Sequence, residues 1–174
     1  LYIGDGMSTA AFMTLDEYRQ LTAELADQHV SISRFAVGPR TDAQLLASLA
    51  MQTGGMLVID GESVDAKQAG QFLVSAVRGS VYWPRDVQWP AALSKVYPRR
   101  MPPLRSDRDS IVVGKTAESL GSELKLAITT DSAGKPAELS WALPVAASNP
   151  DFSFLTSLVE AADVDDGLRM ICLG

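Results

Sequence analysis

The sequence has few of the residues that build metal and redox sites. Its 174 residues include one cysteine, Cys172, and one histidine, His29. One cysteine excludes an internal disulfide and a cysteine-rich zinc site, and one histidine excludes a multi-histidine metal centre. A Ser-His-Asp triad could be built only through His29. Lys and Arg number 15 against 21 Asp and Glu, a net charge of −6. We therefore expect no nucleic-acid partner, because that affinity depends on cationic side chains.

Long apolar runs are also missing. No uninterrupted apolar segment approaches the roughly 20 residues that cross a bilayer, so we expect no membrane span. Apolar residues still make up 47% of the chain, which is typical of globular proteins with a core. The chain begins Leu1-Tyr2-Ile3, with neither an initiator methionine nor a basic targeting segment. This start favours a fragment of a longer protein, entered in mid-strand.

Residues 1–79 repeat the pattern of strand, turn and helix three times. Thr14-Leu15-Asp16-Glu17 and Thr41-Asp42-Ala43-Gln44 have the capping-box pattern that begins a helix, and a third helix is expected from about Ser63. Such alternation predicts a parallel sheet with right-handed crossovers. Gly54-Gly55 predicts a left-handed helix end. The strands are expected over residues 1–3, 30–37 and 56–59, the last buried on both faces because it is wholly apolar.

Ligands bind such sheets at the carboxyl ends of the strands. Here those ends carry Asp5, residues 38–41 and Asp60. This edge is therefore the first candidate site.

Residues 80–174 have a different character. Prolines follow Trp83, Trp89 and Tyr97, which favours extended, turn-rich chain. A hairpin is expected around residues 131–134, and an amphipathic helix over residues 151–163 behind Asp151. The predicted fold class is therefore α/β: a partial doubly wound, Rossmann-like parallel sheet in residues 1–79, followed by a small β-rich module with one helix in residues 80–174.

Part of the first segment resembles the second half of a von Willebrand factor A domain. An apolar strand ends in Asp5-Gly6, and a later strand closes in Phe35-Ala36-Val37-Gly38. The most specific element is Leu-x-x-Leu-Ala-x-x-Thr-Gly-Gly at residues 46–55. The tail around residues 81–114 loosely resembles the β-sandwich segment that follows this domain in inter-α-trypsin-inhibitor heavy chains.

The resemblance implies a metal-ion-dependent adhesion site at the carboxyl edge of the sheet. In that family an Asp-x-Ser-x-Ser loop, a threonine loop and a later aspartate loop build the site. By position Asp5 would be the last of these, reaching magnesium through water. The Asp-x-Ser-x-Ser motif is absent from these 174 residues. We therefore expect an incomplete site that holds no cofactor by itself, with magnesium bound only in the full-length protein.

The expected function follows from this resemblance. It is a non-catalytic protein-interaction or scaffolding module with an acidic protein partner, and the family favours an extracytoplasmic or cell-surface location. We also expect self-association through the first strand, because an uncovered strand edge can pair with another chain.

An enzymatic alternative remains open at this stage. Gly4-Asp5-Gly6 also resembles the metal-binding opening of alkaline phosphatases and the last motif of haloacid-dehalogenase-type phosphatases. The alternative function is a metal-dependent phosphoryl hydrolase that uses Asp5.

Several residues also have purely structural interpretations. Asp5 itself fits an Asx turn, in which its carboxylate accepts backbone N–H groups. Ser8 and Thr9 fit turn hydroxyls, and His29 fits a helix C-terminal cap. Two segments fit solvated structure: a loop paired with its own acids, which contains Arg99, Arg100, Arg105 and Arg108, and a helix end at residues 163–167. The remaining residues fit buried packing: Trp83, Trp89 and Trp141 in the core, and Cys172 as a small buried side chain.

Overall fold

The computed structural model describes residues 1–8, 13–61, 65–116 and 120–162. They form two compact units. The first comprises Leu1–Val81 and Pro102–Asp109, and the second comprises Tyr82–Met101 and the described residues from Ser110 onward. The segment 102–109 therefore groups with the first unit, although it follows the boundary that we expected at residue 79.

The fold is mixed α/β, as predicted, and includes a three-stranded parallel sheet. The described elements, in chain order, are β1 (Tyr2–Gly4), α1 (Leu15–Asp27), β2 (Arg34–Ala36), α2 (Ala43–Gln52), β3 (Leu57–Ile59), α3 (Ala66–Arg78), β4 (Val81–Gln88), β5 (Leu93–Tyr97), β6 (Leu104–Arg105), β7 (Val113–Thr116), β8 (Glu123–Ser132), β9 (Lys135–Pro144), a 3-10 turn (Pro150–Phe152) and α4 (Phe154–Ala162).

The parallel sheet has the order β1-β2-β3. Successive residues of a strand point to opposite faces, so Arg34 and Phe35 of β2 lie on different faces. Phe35 packs with a cluster formed by Val58, Ala69 and Leu73, which places α3 on its face. Helix α2 packs against β2 and β3 and contacts α1. Tyr18 of α1 interacts electrostatically with Arg34, which lies on the face opposite to Phe35. The sheet thus has helices on both faces.

The first helix begins as its sequence predicts. Thr14 is its N-cap and forms the full capping box with Glu17. At the other end His29 has a φ of +55°. Its N–H donates to the Ala26 carbonyl (3.0 Å), and the Val30 N–H donates to the Leu25 carbonyl (2.8 Å). These two bonds form a Schellman motif, so His29 is part of the helix end.

The second helix begins one residue later than predicted. Its N-cap is Asp42, whose side chain accepts the Leu45 N–H, so the proposed box on Thr41 is wrong. The predicted left-handed end is confirmed: Gly54 has a φ of +68°, and the Gly55 N–H donates to the Ala50 carbonyl at 2.8 Å. Glycine adopts this φ without the steric cost that a β-carbon brings.

The third strand and third helix also differ from expectation. Ile59 is 49% exposed, so the prediction that residues 56–59 are buried on both faces is wrong; β3 is an edge strand of the three-stranded sheet. The cap of α3 is Asp65, which forms a capping box with Gln68. The expected start at Ser63 lies outside the described residues.

The second unit is mainly antiparallel. Strand β4 pairs with β8, β8 pairs with β9, and β5 pairs with β7. The hairpin expected around residues 131–134 is present. Ser132 pairs with Lys135, so its turn consists of Ala133 and Gly134, with φ of +50° and +75°. These angles are those of a type I′ hairpin.

The last described helix is preceded by an irregular turn. Asn149, not Asp151, caps the 3-10 turn by accepting the Asp151 N–H at 3.0 Å. Helix α4 is described from Phe154 to Ala162. No helix within the described ranges is both long and apolar enough to cross a membrane.

Candidate functional site

Asp5 lies where the pattern of strands and helices predicts, directly after β1 at the carboxyl edge of the parallel sheet. Its Oδ1 accepts the Met7 N–H at 3.0 Å. This is the Asx-turn geometry of the structural interpretation. A carboxylate has about four acceptor positions, so this bond leaves it able to accept from water or from a further donor.

The loops at this edge are tied together through the backbone. The Asp5 carbonyl accepts the Asp42 N–H at 2.8 Å, and the Gly4 carbonyl accepts the Val37 N–H at 3.3 Å. A β-carbon at Gly38 would lie 3.5 Å from Cβ of Asp5. The loops that follow β1 and β2 therefore meet at Asp5.

The carboxylates at this edge do not converge on one point. The Asp42 side chain caps α2 through the Leu45 N–H at 2.9 Å, and Asp60 is exposed after β3. In the part of the chain that the structure describes, no three His, Cys, Asp or Glu side chains form a group that could hold a metal ion. Magnesium requires several oxygen ligands, so the described residues alone do not fit it.

His29 lies away from Asp5. It follows the C-terminal end of α1 and precedes β2, which places it at the amino edge of the sheet. Ser8 is exposed next to the candidate edge. Thr9, residues 163–167 and Cys172 lie outside the described residues. His29 and Asp5 therefore lie at opposite edges of the sheet and do not form a catalytic pair.

The arginine run is only partly the solvated loop that we expected. Arg105 is 6% exposed, and it pairs with its own acid through Nε and Nη2, which donate to Asp107 Oδ1 and Oδ2, each at 2.7 Å. Its Nη1 and Nη2 also donate to the carbonyls of Gly54 (2.9 Å) and Ala76 (2.8 Å). Arg105 thus links the C-terminal ends of α2 and α3. Sequence reasoning missed this role because its carbonyl acceptors lie far away in the chain.

The three tryptophans divide between core and surface. Trp83 is 7% exposed, as expected for core, whereas Trp141 is 39% exposed. In the second unit Trp89 and Trp141 line an open cleft of about 550 Å³ together with Lys125 and Ser140. Lys125 lies 4.0 Å from Glu123, so its charge is partly balanced.

No protein family model and no curated protein matches this chain. The resemblance to a von Willebrand factor A domain therefore stays a prediction.

Proposed function

We propose that this chain contributes the later half of a von Willebrand factor A-like domain, and that it acts in protein interaction or scaffolding rather than in catalysis. The observation that carries the proposal is the parallel order β1-β2-β3 with Asp5 directly after β1. In a doubly wound sheet of order 3-2-1-4-5-6, the last three strands are sequential neighbours of this kind.

The helix positions support the same proposal. Helices α1 and α2 lie on one face of the sheet and α3 on the other, as Phe35 and its cluster with Leu73 indicate. A doubly wound sheet is covered on both faces in this manner. The second unit then corresponds to the β-rich module that follows the domain in inter-α-trypsin-inhibitor heavy chains.

The Thr-Gly-Gly element has a structural reason in this fold. Thr53 is fully buried, and its Oγ1 donates to the Leu49 carbonyl at 2.6 Å. Gly54 ends α2, and Gly55 allows close approach of the chain at Ile32. This element supports the family resemblance through packing; it supplies no ligand to the site.

The proposed site is completed by residues other than those described. In the intact domain Asp5 would contact magnesium through water, and the ion would bind a carboxylate of an acidic protein partner. The same family resemblance leads us to propose an extracytoplasmic or cell-surface location.

Calorimetric titration with magnesium and manganese tests the proposal. We expect no tight binding by the 174-residue chain, and binding by a longer chain that includes an upstream Asp-x-Ser-x-Ser loop. Asp5→Ala should weaken that binding at least about tenfold, because it removes one charged contact. Asp60→Ala, on an exposed carboxylate after β3 and two strands away from β1, is the matched control and should leave that binding unchanged.

Two outcomes count against the proposal. A micromolar site in the 174-residue chain that disappears in Asp5→Ala would show that the site is complete without upstream ligands. Metal-dependent hydrolysis of a phosphate monoester, lost in Asp5→Asn, would support the phosphoryl hydrolase instead.

A further inference from the structure

Arg34, the first residue of β2, is a buried cation with an unused donor. Its side chain is in the interior of the first unit, with 6% of the residue exposed, and its Nε has no hydrogen-bond partner among the described residues. Arg105 of the same unit, equally buried, has Asp107 and two backbone carbonyls as acceptors. Of these two buried arginines, only Arg34 has an Nε without an acceptor among the described residues.

A second buried donor lies on the same side of the sheet. Gln52 of α2 is 7% exposed, and its Nε2 has no partner among the residues described. Gln52 follows Ser48 by one helical turn, so the two share a face of α2. Ser48 is hydrogen-bonded to the Tyr18 hydroxyl, and Tyr18 interacts electrostatically with Arg34. The two unused donors thus lie on α2 and β2, two elements that contact each other, and Tyr18 of α1 interacts with residues of both.

Among the described residues, the groups that surround Arg34 are aromatic and supply no countercharge. Its guanidinium carbon lies 5.9 Å from the centre of the Tyr2 ring. Burial lowers the pKa of Arg34 and raises the pKa of Tyr18, so in both cases burial disfavours the charged form. In the described chain, the groups that act electrostatically on Arg34 are the two tyrosines. Burying a charge without a partner destabilises a fold.

We propose that Arg34 and Gln52 form a binding site for a small oxyanion, a phosphate or a carboxylate. A guanidinium donates two parallel hydrogen bonds to such a group, and the Gln52 amide adds a third donor. The partly exposed ring of Tyr2 lies beside the Arg34 guanidinium. This site goes beyond the proposed function, because Asp5 and magnesium are not part of it.

The direct test follows the arginine Nε–H signals by ¹H–¹⁵N NMR. The intact 174-residue protein is titrated with inorganic phosphate and, separately, with acetate, while sodium chloride keeps the ionic strength constant. Arg34→Lys identifies the Arg34 signal by its disappearance. We expect that signal to shift saturably with at least one of the anions, which also identifies the class of ligand. The signal of Arg19, an exposed residue on α1, should not follow the same curve.

Thermal unfolding supplies an independent readout. The bound anion should raise the Tm of the wild type and leave that of Arg34→Met unchanged, with an affinity loss of at least about tenfold. In chloride buffer Arg34→Met should be at least as stable as the wild type, because an unpaired buried charge has been removed. Arg19→Met is the control and should keep the wild-type response.

Three results overturn the site. The first is that neither anion shifts the Arg34 signal saturably. The second is that Arg19 and Arg34 shift together, which indicates an adventitious ion only. The third is that Arg34→Met folds and responds to the anion like the wild type. If Arg34→Met does not fold, the NMR titration of the wild type still decides.

Discussion

The carbonyl oxygen of Ile32 lies 2.0 Å from the position that a β-carbon would take at Gly55. No side chain fits at that distance, so the backbone that leads into β2 and the end of α2 can approach this closely only through glycine. We predict that Gly55→Ala lowers the free energy of unfolding by about 3 kcal/mol or more, because a backbone atom must move. Urea denaturation followed by circular dichroism measures the change.

Gly70→Ala is the matched control for Gly55→Ala. Gly70 lies within α3, and a β-carbon there would meet no atom within 4 Å. Alanine is the better helix former, so this variant should gain about 0.5–1 kcal/mol. A loss in Gly70→Ala similar to that in Gly55→Ala would show that close packing at Ile32 is not the cause.

The pair of Arg105 and Asp107 predicts an acid-dependent contribution to stability. The hydrogen bond from Arg105 lowers the pKa of Asp107 below its usual 3.8. A carboxyl whose pKa is lower in the folded state stabilises the fold above its unfolded pKa, and this contribution is lost as the pH falls through the folded value. We therefore expect Asp107→Asn to lose about 1 kcal/mol at neutral pH, because buried Arg105 loses its countercharge while solvent screens the 40% exposed Asp107 side chain.

The pH profile separates this effect from a general loss of stability. Wild type and Asp107→Asn should approach each other in free energy of unfolding as the pH falls below about 4, where Asp107 is protonated in the unfolded chain. Asp60→Asn, on an exposed carboxyl, should remain close to wild type at neutral pH. A constant difference between wild type and Asp107→Asn at all pH values contradicts the electrostatic explanation.

The turn between β8 and β9 can be improved. Ala133 has a φ of +50°, a left-handed conformation that disfavours alanine and that asparagine tolerates. Ala133→Asn creates the Asn-Gly pair preferred in type I′ turns and should gain about 1 kcal/mol. Ala133→Val should lose about as much, because β-branched residues resist this φ. Equal Tm values for the two variants would contradict this interpretation.

Strand β1 predicts association between copies of the chain. The Tyr2 N–H donates to the Ser33 carbonyl (2.9 Å), and the Gly4 carbonyl accepts the Val37 N–H (3.3 Å). Because alternate residues of a strand bond to the same neighbour, the N–H and carbonyl of Ile3 face away from β2. Leu1 and Ile3 are 66% and 60% exposed. We predict a concentration-dependent dimer by analytical ultracentrifugation, formed by pairing of two β1 edges.

The matching variants test the strand edge itself. Ile3→Lys should shift the protein to monomer, because a charge on an edge strand opposes pairing. Val77→Lys changes an equally exposed apolar residue (68% exposed) on α3 and should leave the dimer intact. If the wild-type protein remains monomeric at high concentration, the predicted association is wrong.

Local signals in the sequence predicted local structure well. The box of Thr14 with Glu17, the left-handed Gly54 and the turn before Lys135 each depend on residues within a few positions of one another. Such patterns determine their own hydrogen bonds, so they can be read without the rest of the fold.

The errors arose where distant residues decide the outcome. Thr41 and Asp42 are both good helix caps. Asp42 is the cap in the structure, and its backbone N–H also donates to the carbonyl of Asp5, a residue far away in the chain. The burial of Arg34 and Arg105 depends on packing with segments far away in the chain. The place of Asp5 could be predicted because strand ends determine it, whereas the convergence of ligands depends on several loops at once.

The assignment of residues 102–109 to the first unit has a consequence for how the chain can be divided. The polypeptide passes from the first unit to the second after Val81, returns at Pro102, and leaves again after Asp109. A single proteolytic cut therefore cannot release either unit as a complete piece. A fragment that stops at residue 81 lacks Arg105, whose guanidinium donates to the carbonyls of Gly54 and Ala76. During synthesis, the first unit can be completed only after the ribosome has translated past residue 109.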